Sequence, residues 1–219
     1  MISKRLKEIK AGLPKDVTLV AVSKTKSDQQ ILEAYHEGQK IFGENKVQEL
    51  VQKYESLPKD IQWHMIGHLQ RNKVKYIVPF VSLIHGVDSY KLLKEINKEG
   101  VKNNRVVDVL IQMHIAQEET KHGFTFDEVQ EMFNDSEFSL MNNIRIRGLM
   151  GMASYVDDQS QISDEFRGLN NLFLTLQSHF FKYNPNYDIL SMGMSGDYQL
   201  AIEEGSTMVR IGSSIFGER

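Results

Sequence analysis

The stretch VTLVAVSKTKSDQQ, residues 17–30, contains one complete junction between a strand and a helix. Apart from one leucine, residues 17–23 are small or β-branched, and a short uncharged run of this kind is typical of a buried strand. Ser27 and Gln30 then have the spacing of a capping box, which marks the start of a helix. The stretch therefore predicts a β-strand followed closely by an α-helix, with Lys24 and Lys26 between them.

The same alternation continues along the chain. Further apolar runs occur at 39–42, 62–66, 81–86, 105–115, 144–151, 188–194 and 207–212. Capping spacings recur at Asn45 with Gln48 and at Thr125 with Glu128. Strict alternation requires parallel strands with crossover helices, and eight such units favour a closed (β/α)8 TIM barrel over a doubly wound open sheet. Without a linker or a shift in composition, residues 1–219 are predicted to form a single domain.

One long helical stripe stands out near the middle of the second half. Behind Ser163, apolar residues recur at helical spacing, namely Phe166, Leu169, Phe173, Leu176 and Phe180. The polar segment 152–163 before this stripe is predicted to be an exposed loop.

Composition excludes several classes of protein. Lys plus Arg number 26 against 29 Asp plus Glu, so the net charge of −3 makes a nucleic acid an unlikely partner. No apolar run approaches the roughly 18 residues of a membrane span, and the lack of cysteine excludes disulfide frameworks and thiolate metal sites. The N-terminal segment has apolar residues at helical spacing among charges, unlike a secretory signal. We therefore expect a soluble, cytoplasmic protein.

Lys24 follows the first strand directly, at the end of a barrel where active sites lie. A lysine is nucleophilic only when neutral, and partial burial or a second ammonium lowers its pKa. Lys26 could supply that second charge. Two interpretations stay open: Lys24 captures a carbonyl compound as a Schiff base, or both lysines are solvated charges in a turn.

Small residues dominate the loops after the seventh and eighth strands, GMSGDYQ at 193–199 and RIGSS at 210–214. Barrels often bind phosphate with these two loops, because glycine-exposed amides offer several N–H donors. Ordinary turns are the alternative. Together with Lys24, the loops favour a phosphorylated carbonyl compound as the ligand.

Arg210 is a permanent cation inside the apolar run of the eighth strand, where desolvation is unfavourable without a partner. Its partner is expected to be either a carboxylate in a salt bridge or the ring nitrogen of a ligand.

Several motifs extend over nearly the whole chain: AVSKTK (21–26), FGEN (42–45) followed by VQE (47–49), IGHLQRNK (66–73), ETKHGF (119–124), RGLMGM (147–152), SMGMSGDYQLAI (191–202) and GSTMVRIGSSIFGER (205–219). In these motifs the chain resembles the pyridoxal phosphate homeostasis proteins, single-domain barrels similar to the N-terminal domain of alanine racemase.

This resemblance implies a fold-type III barrel that binds pyridoxal 5'-phosphate (PLP). It implies that Lys24 forms an internal aldimine and that Arg210 lies beside the pyridine nitrogen. It also implies that the phosphate is held by Ser195, Gly212 and Ser213, and that the ring is bordered by Asn45 and Met65. The chain departs from the family at Ser27, where many relatives have proline, and at His68, a new titratable group near the site. Lys121 matches a recurrent family lysine whose role stays open.

The same residues argue against turnover. PLP acts as an electron sink, and an arginine at the pyridine nitrogen leaves that nitrogen unprotonated and the sink weak. We therefore expect a carrier or buffer in PLP homeostasis, a monomer, with PLP and PLP-dependent apoenzymes as partners. The alternative is a small amino-acid racemase with Lys24 as one base and Lys121, His68 or Tyr155 as the second.

The sequence gives little or no support for two other kinds of site, a metal centre and a glycosidase site. Histidines near strand ends suggest a metal-dependent hydrolase, although their spacing is not that of a metalloprotease; they are His64, His68, His85 and His114, with Asp88 close by. The methionines at 141, 150, 152, 192 and 194 are predicted to fill the core. The stretch QEET at 117–120 offers no paired carboxylates for a glycosidase.

Overall fold

The protein is a closed parallel barrel of eight strands in chain order, and the first strand pairs with the last. The computed structural model describes residues 1–116 and 123–218. The strands are β1 (Thr18–Val22), β2 (Ile41–Glu44), β3 (Gln62–Met65), β4 (Leu83–Val87), β5 (Val107–Gln112), β6 (Ile144–Met150), β7 (Ile189–Ser191) and β8 (Met208–Ile211). Each lies within or overlaps a predicted strand, so the (β/α)8 prediction is confirmed and the open sheet is wrong.

Helices connect the strands and cover the outside of the barrel. They are α1 (Ile2–Gly12), α2 (Asp28–His36), α3 (Val47–Ser56), α4 (Val74–Ile77), α5 (Tyr90–Lys102), α6 (Phe126–Asn134), α7 (Gln159–Phe180), α8 (Tyr198–Glu203) and α9 (Ser213–Phe216), with short 3₁₀ segments at Arg71–Lys73 and Phe138–Leu140. Within the described ranges, no helix combines the length and apolar character that crossing a bilayer requires.

The helix starts follow the capping signals at two of three predicted positions. Ser27 and Thr125 each form the reciprocal capping box with the residue three positions later. The prediction for Asn45 is wrong, because α3 begins after Lys46 and has no side-chain cap. Glu49, at the third position of α3, instead accepts a hydrogen bond from the backbone N–H of Thr25.

The long helix α7 begins earlier than its apolar stripe predicted. Asp158 is its N-cap and accepts hydrogen bonds from the backbone N–H groups of Ser160 and Gln161. The predicted loop 152–163 therefore ends at Asp158, the N-cap of α7. The stripe itself packs inward as predicted, with Phe180 only partly buried.

The core has two layers. A small cluster of strand residues fills the barrel interior, namely Val20, Leu83, Leu110, Met150 and Met208. A much larger cluster joins the outward faces of the strands to the helices. The interior also holds buried polar side chains near the carboxyl ends of the strands, and the candidate site lies there.

Candidate functional site

A cavity of about 380 Å³ opens at the carboxyl ends of β1, β7 and β8. This volume is in the range of small-molecule sites. Six of the seven predicted site residues line it, namely Lys24, Asn45, Ser195, Arg210, Gly212 and Ser213. The strand-end rule for barrels accounts for Lys24 and for the loops after β7 and β8, whereas Asn45 was implied by the family resemblance alone.

Met65 is the predicted site residue that does not line the cavity. Its side chain is 1% exposed and packs in the layer between strands and helices. Because successive side chains of a strand point to opposite faces, its neighbour His64 occupies the interior side. Ile66, one position beyond β3, lines the cavity instead.

The loop that carries Asn45 is fixed by a close backbone approach. A Cβ atom at Gly67 would lie 2.5 Å from the backbone oxygen of Asn45. Only glycine fits at this distance, so the exits of β2 and β3 pack directly against each other. This contact holds Asn45 at the edge of the cavity.

The Lys24 side chain lines the cavity and is partly buried. Its ammonium group forms no hydrogen bond or ion pair with residues 1–116 or 123–218, so the amine is available to a ligand. Lys26 differs, because its Nζ donates to the backbone oxygens of Gly217 (3.1 Å) and Glu218 (3.3 Å). Lys26 thus tethers the C-terminal tail to the cavity rim. Its assistance to Lys24 stays a prediction.

The two small-residue loops meet across the cavity from Lys24. The backbone N–H of Gly212 donates to Ser195 Oγ at 3.2 Å, which joins the loop after β7 to the loop after β8. Ser213 and Ser214 occupy the first turn of α9, where a backbone N–H has no acceptor within its own helix. The junction therefore presents backbone donors to an anion.

Arg210 is 4% exposed and is held by neutral oxygens. Nη1 donates to the backbone oxygen and to Oγ of Ser191 at 2.9 and 2.7 Å, and Nη2 donates to the backbone oxygen of Gly151 at 3.0 Å. No carboxylate of the described chain forms an ion pair with it, so the described residues give the salt-bridge alternative no support. The Nε–H group has no acceptor among the described residues.

Burial lowers the pKa of Arg210 to about 10, and the charge of Asp197 partly opposes that shift. The guanidinium therefore remains charged at neutral pH. It can donate a hydrogen bond to a ligand, but it does not supply a proton to one.

Two histidines continue the hydrogen-bonded chain from Arg210 through the barrel interior. Ser191 Oγ lies 3.1 Å from His85 Nδ1, and His85 Nε2 lies 2.9 Å from His64 Nδ1. A serine hydroxyl has one O–H donor and two lone pairs, so Ser191 can accept from Arg210 and donate to His85, which can in turn donate to His64. Burial lowers the pKa of His64 to about 3 and that of His85 well below its ordinary value. Both rings are neutral.

The comparisons with known proteins agree with this geometry. The family model described as the alanine racemase N-terminal domain matches residues 1–219. A pyridoxal phosphate homeostasis protein of Aquifex aeolicus (strain VF5) is 45% identical over 203 residues, 92% of this chain and 86% of that protein. The chain belongs to the pyridoxal phosphate homeostasis protein family.

Solved structures extend the comparison. PipY of Synechococcus elongatus PCC7942, solved with PLP bound, matches with a TM-score of 0.88 and 32% identity, over 99% of this chain and 100% of PipY. Alanine racemase from E. faecalis shares the fold alone, at 13% identity and a TM-score of 0.75, and this chain covers 58% of it.

The two departures from the pyridoxal phosphate homeostasis family can now be located. Ser27 caps α2 through its side chain. His68 lies outside the cavity, with its ring mostly exposed and Nδ1 3.0 Å from Asp88 Oδ2. Neither departure alters a residue that lines the cavity. Lys121 and the stretch 117–120 lie outside the described residues.

The histidines of this family member give the metal hypothesis no support. His64 and His85 bond to each other, and His68 bonds to Asp88. No group of three or more His, Cys, Asp or Glu side chains suited to a metal ion occurs in the part of the chain that the structure describes.

Several residues of the cavity wall were missed from the sequence. Met152 and Met194 were assigned to the core, but they are 42% and 38% exposed and line the cavity, as does Tyr155. They lie just beyond β6 and β7, so the strand-end rule could have found them. The core prediction is correct for Met150 and Met192, and Met141 packs against the core at partial burial.

A buried lysine was also missed. Lys53 is 5% exposed and lies behind the loop that carries Lys24. Val47, Leu50 and Lys53 recur every three residues on the buried face of α3. A lysine in an apolar helical stripe was the signal for a buried ionic site.

Proposed function

We propose that this chain binds PLP covalently through Lys24 and holds it reversibly, as a carrier or buffer in PLP homeostasis without catalytic turnover. The observation that carries the proposal is a lysine amine, without a partner among the described residues, that shares one cavity with amide-rich loops and a buried arginine. A phosphorylated aldehyde on a nitrogen-containing ring has an aldehyde for the amine, a phosphate for the amide-rich loops and a ring nitrogen for the arginine. The PLP-bound structure of the similar protein PipY supports the assignment.

The residues of the cavity fit the cofactor in type. Ser195 and Ser213 supply hydroxyl and backbone N–H donors for the phosphate, and the N–H of Gly212 would join them by giving up its bond to Ser195 Oγ. The Nε–H of Arg210 is left to donate to the ring nitrogen, and Asn45 borders the ring. Met65 has no side-chain role in this arrangement.

When bound, PLP supplies an aldehyde. Lys24 would hold the cofactor through its amine, and the aldehyde would supply the carbonyl carbon for a Schiff base, with water as the other product. Hydrolysis reverses this reaction, so capture and release require no other reactant. We propose that release serves PLP-dependent apoenzymes in the cytoplasm, and that the protein acts as a monomer.

Two features support binding without turnover. Arg210 keeps its proton at neutral pH, so the ring nitrogen stays unprotonated and the electron sink is weak. Among the candidates for a second base, Tyr155 lines the cavity but is 98% exposed, and His68 lies outside it. An exposed phenol at the rim is poorly placed to move a proton at a buried carbon.

The decisive test is the absorption spectrum of the protein with added PLP. We expect a band near about 420 nm in the wild type and in Lys26→Ala, and no band in Lys24→Ala. Borohydride reduction should fix the adduct, and peptide mapping should place it on Lys24. A band that survives unchanged in Lys24→Ala would refute the proposal.

Amino-acid turnover separates the carrier from a racemase. The PLP-loaded protein is incubated with single enantiomers of alanine and other amino acids, and the product is analysed by chiral chromatography. We expect no racemisation above free PLP. Racemisation that depends on both Lys24 and Tyr155, shown with Lys24→Ala and Tyr155→Phe, would establish the alternative.

A further inference from the structure

A buried cluster of charges lies behind the loop that carries Lys24. Lys53 Nζ donates to three acceptors, the backbone oxygen of Ser23 at 2.7 Å, Glu44 Oε1 at 2.8 Å and Glu49 Oε1 at 2.6 Å. An ammonium group has three N–H donors, so Lys53 is fully used by the protein. It has no donor left for a ligand.

This cluster holds the backbone on both sides of Lys24. The preceding residue, Ser23, makes two contacts with the cluster. Its backbone oxygen accepts from Lys53 Nζ, and its hydroxyl donates to Glu44 Oε1 at 2.5 Å. On the following residue, Thr25, Glu49 Oε1 accepts the backbone N–H at 2.6 Å. The residue between these two anchors is the lysine that lines the cavity.

The backbone at Thr25 requires such support. Thr25 has φ +64°, in the left-handed region that a β-branched residue rarely adopts. Backbone of this kind persists only where its surroundings hold it. The bond from Thr25 to Glu49 provides that restraint directly beside Lys24.

Stability alone does not explain the cluster. Lys53 and Glu44 have side chains that are 6% and 0% exposed, and Glu44 Oε2 has no hydrogen-bond partner in the part of the chain that the structure describes. Burial raises the pKa of Glu44, against the opposing effects of Lys53 and Ser23. A well-packed apolar group often replaces such a pair without loss of stability. The contacts to Ser23 and Thr25 are what an apolar group could not provide.

The geometry points to Glu44, Glu49 and Lys53 as positioning residues that fix the backbone around Lys24 and thereby hold its amine in the cavity. They act through the backbone of Ser23 and Thr25 and do not touch the ligand. This inference rests on the proposed function of Lys24 in PLP capture. It extends the site to a second layer of residues on β2 and α3.

The test compares two substitutions at Glu49, whose side chain is 22% exposed and therefore tolerant of change. Glu49→Gln keeps an oxygen that can accept the Thr25 N–H, whereas Glu49→Ala removes it. Amide hydrogen exchange is measured by NMR on the protein without cofactor, and PLP binding is measured by the absorption of the adduct. A third variant, Lys53→Met with Glu44→Gln, removes the buried pair while leaving neutral groups of similar size.

In Glu49→Ala we expect the Thr25 amide to exchange at least about tenfold faster and the dissociation constant for PLP to rise on the order of 10-fold. Glu49→Gln should stay close to the wild type in both. The double variant keeps Glu49 as the acceptor of the Thr25 N–H but loses the bond from Lys53 to the Ser23 oxygen, so we expect weaker PLP binding with a smaller change in exchange at Thr25. The matched control is Lys102→Met with Glu99→Gln, a lysine with a buried glutamate on α5, and it should change neither quantity.

Two results would overturn the inference and leave the proposed function intact. One is unchanged exchange at Thr25 in Glu49→Ala, which would mean that the bond does not hold the loop. The other is faster exchange with unchanged PLP binding, which would mean that the held backbone does not position Lys24. A wild type that forms no adduct would refute the proposed function and the role of the cluster together. The exchange data would still show whether the cluster restrains the loop.

Discussion

The two sides of the cavity hold their functional groups by different physics. On the β1–β2 side, Lys24 stands on backbone that buried charges restrain through Lys53. On the β7–β8 side, Arg210 is held by neutral oxygens, and one of them, Ser191 Oγ, continues to two uncharged histidines. The proposed reaction of Lys24 needs a fixed backbone and a free amine, and the groups that restrain this backbone lie behind it. A permanent cation needs acceptors around it, so its partners surround it.

The comparison also predicts opposite responses to pH. Burial raises the pKa of Glu44 on the charged side. Burial lowers the pKa values of His64 and His85 on the neutral side. The folded state therefore binds more protons than the unfolded state at Glu44 and fewer at the histidines. Rising pH therefore destabilises the folded state through Glu44, and falling pH destabilises it through His64 and His85.

The largest expected effect is on the charged side. Lys53→Met leaves Glu44 buried without its counter-charge and should lower the free energy of unfolding by about 3–5 kcal/mol near neutral pH. The loss should shrink as the pH falls towards 4.5, the ordinary pKa of the carboxyl, because Glu44 can then take up a proton. Urea unfolding across pH measures this.

The control for Lys53→Met is Lys102→Met, whose ammonium is more than half exposed and should matter much less. Equal losses in the two variants would show that the buried cluster has no special energetic status.

On the neutral side, Ser191→Ala removes the hydroxyl that links Arg210 to His85. Both groups then lose a hydrogen-bond partner in the interior, so we expect a loss of about 1–3 kcal/mol in the free energy of unfolding. Chemical denaturation measures the loss, with Ser139→Ala on the surface as control. A value equal to the control would mean that water or a shifted side chain replaces the hydroxyl.

The pH response of the neutral side can be isolated with His64→Gln, which keeps an acceptor for His85. The ordinary histidine pKa is 6.5 and that of His64 is about 3, so its contribution is complete above 6.5 and is lost as the pH falls. The unfolding free energy of both proteins is measured as the pH is lowered. Between about pH 6 and 5 it should decrease less steeply in His64→Gln than in the wild type, by about 1.4 kcal/mol per pH unit. Identical slopes in the two proteins would contradict a neutral buried His64.

The smallest expected effect is at the junction of the two loops. Ser195→Ala removes the acceptor of the Gly212 N–H and one proposed phosphate donor. We expect the dissociation constant for PLP to rise about 2- to 10-fold, the value of one net hydrogen bond. Titration against the Ser178→Ala control would detect it. A much larger rise would show that Ser195 shapes the whole loop.

The fold could be predicted because its signals are local. Short apolar runs and capping residues such as Ser27 and Thr125 each reflect a few adjacent residues. Alternation then left few topologies to consider. The capping prediction failed at Asn45. Glu49, in the first turn of α3, accepts a hydrogen bond from the backbone N–H of Thr25 and does not take part in a cap.

The site was predictable only as far as a strand end can be located. Lys24, Arg210 and Gly212 lie at or just beyond strand ends, so the rule for barrels placed them. The resemblance named Met65 beside the ring, but its side chain faces away from the cavity, because the face of a strand changes with each position. The partners of Lys53 come from β1, β2 and α3, and no local pattern in the sequence brings those three segments together.

The closure of the barrel also sets when the site can exist. β1 is bonded to β8 from Thr18 opposite Met208 to Ala21 opposite Ile211, so this seam joins the two most distant strands of the chain. Lys24 lies just past one side of the seam, and Gly212 lies just past the other. During synthesis the lysine emerges early, but the loop that completes the cavity emerges only with the last strand. The proposed capture of an aldehyde by a nascent chain would therefore lack the proposed phosphate-binding loop until β8 has left the ribosome and docked against β1.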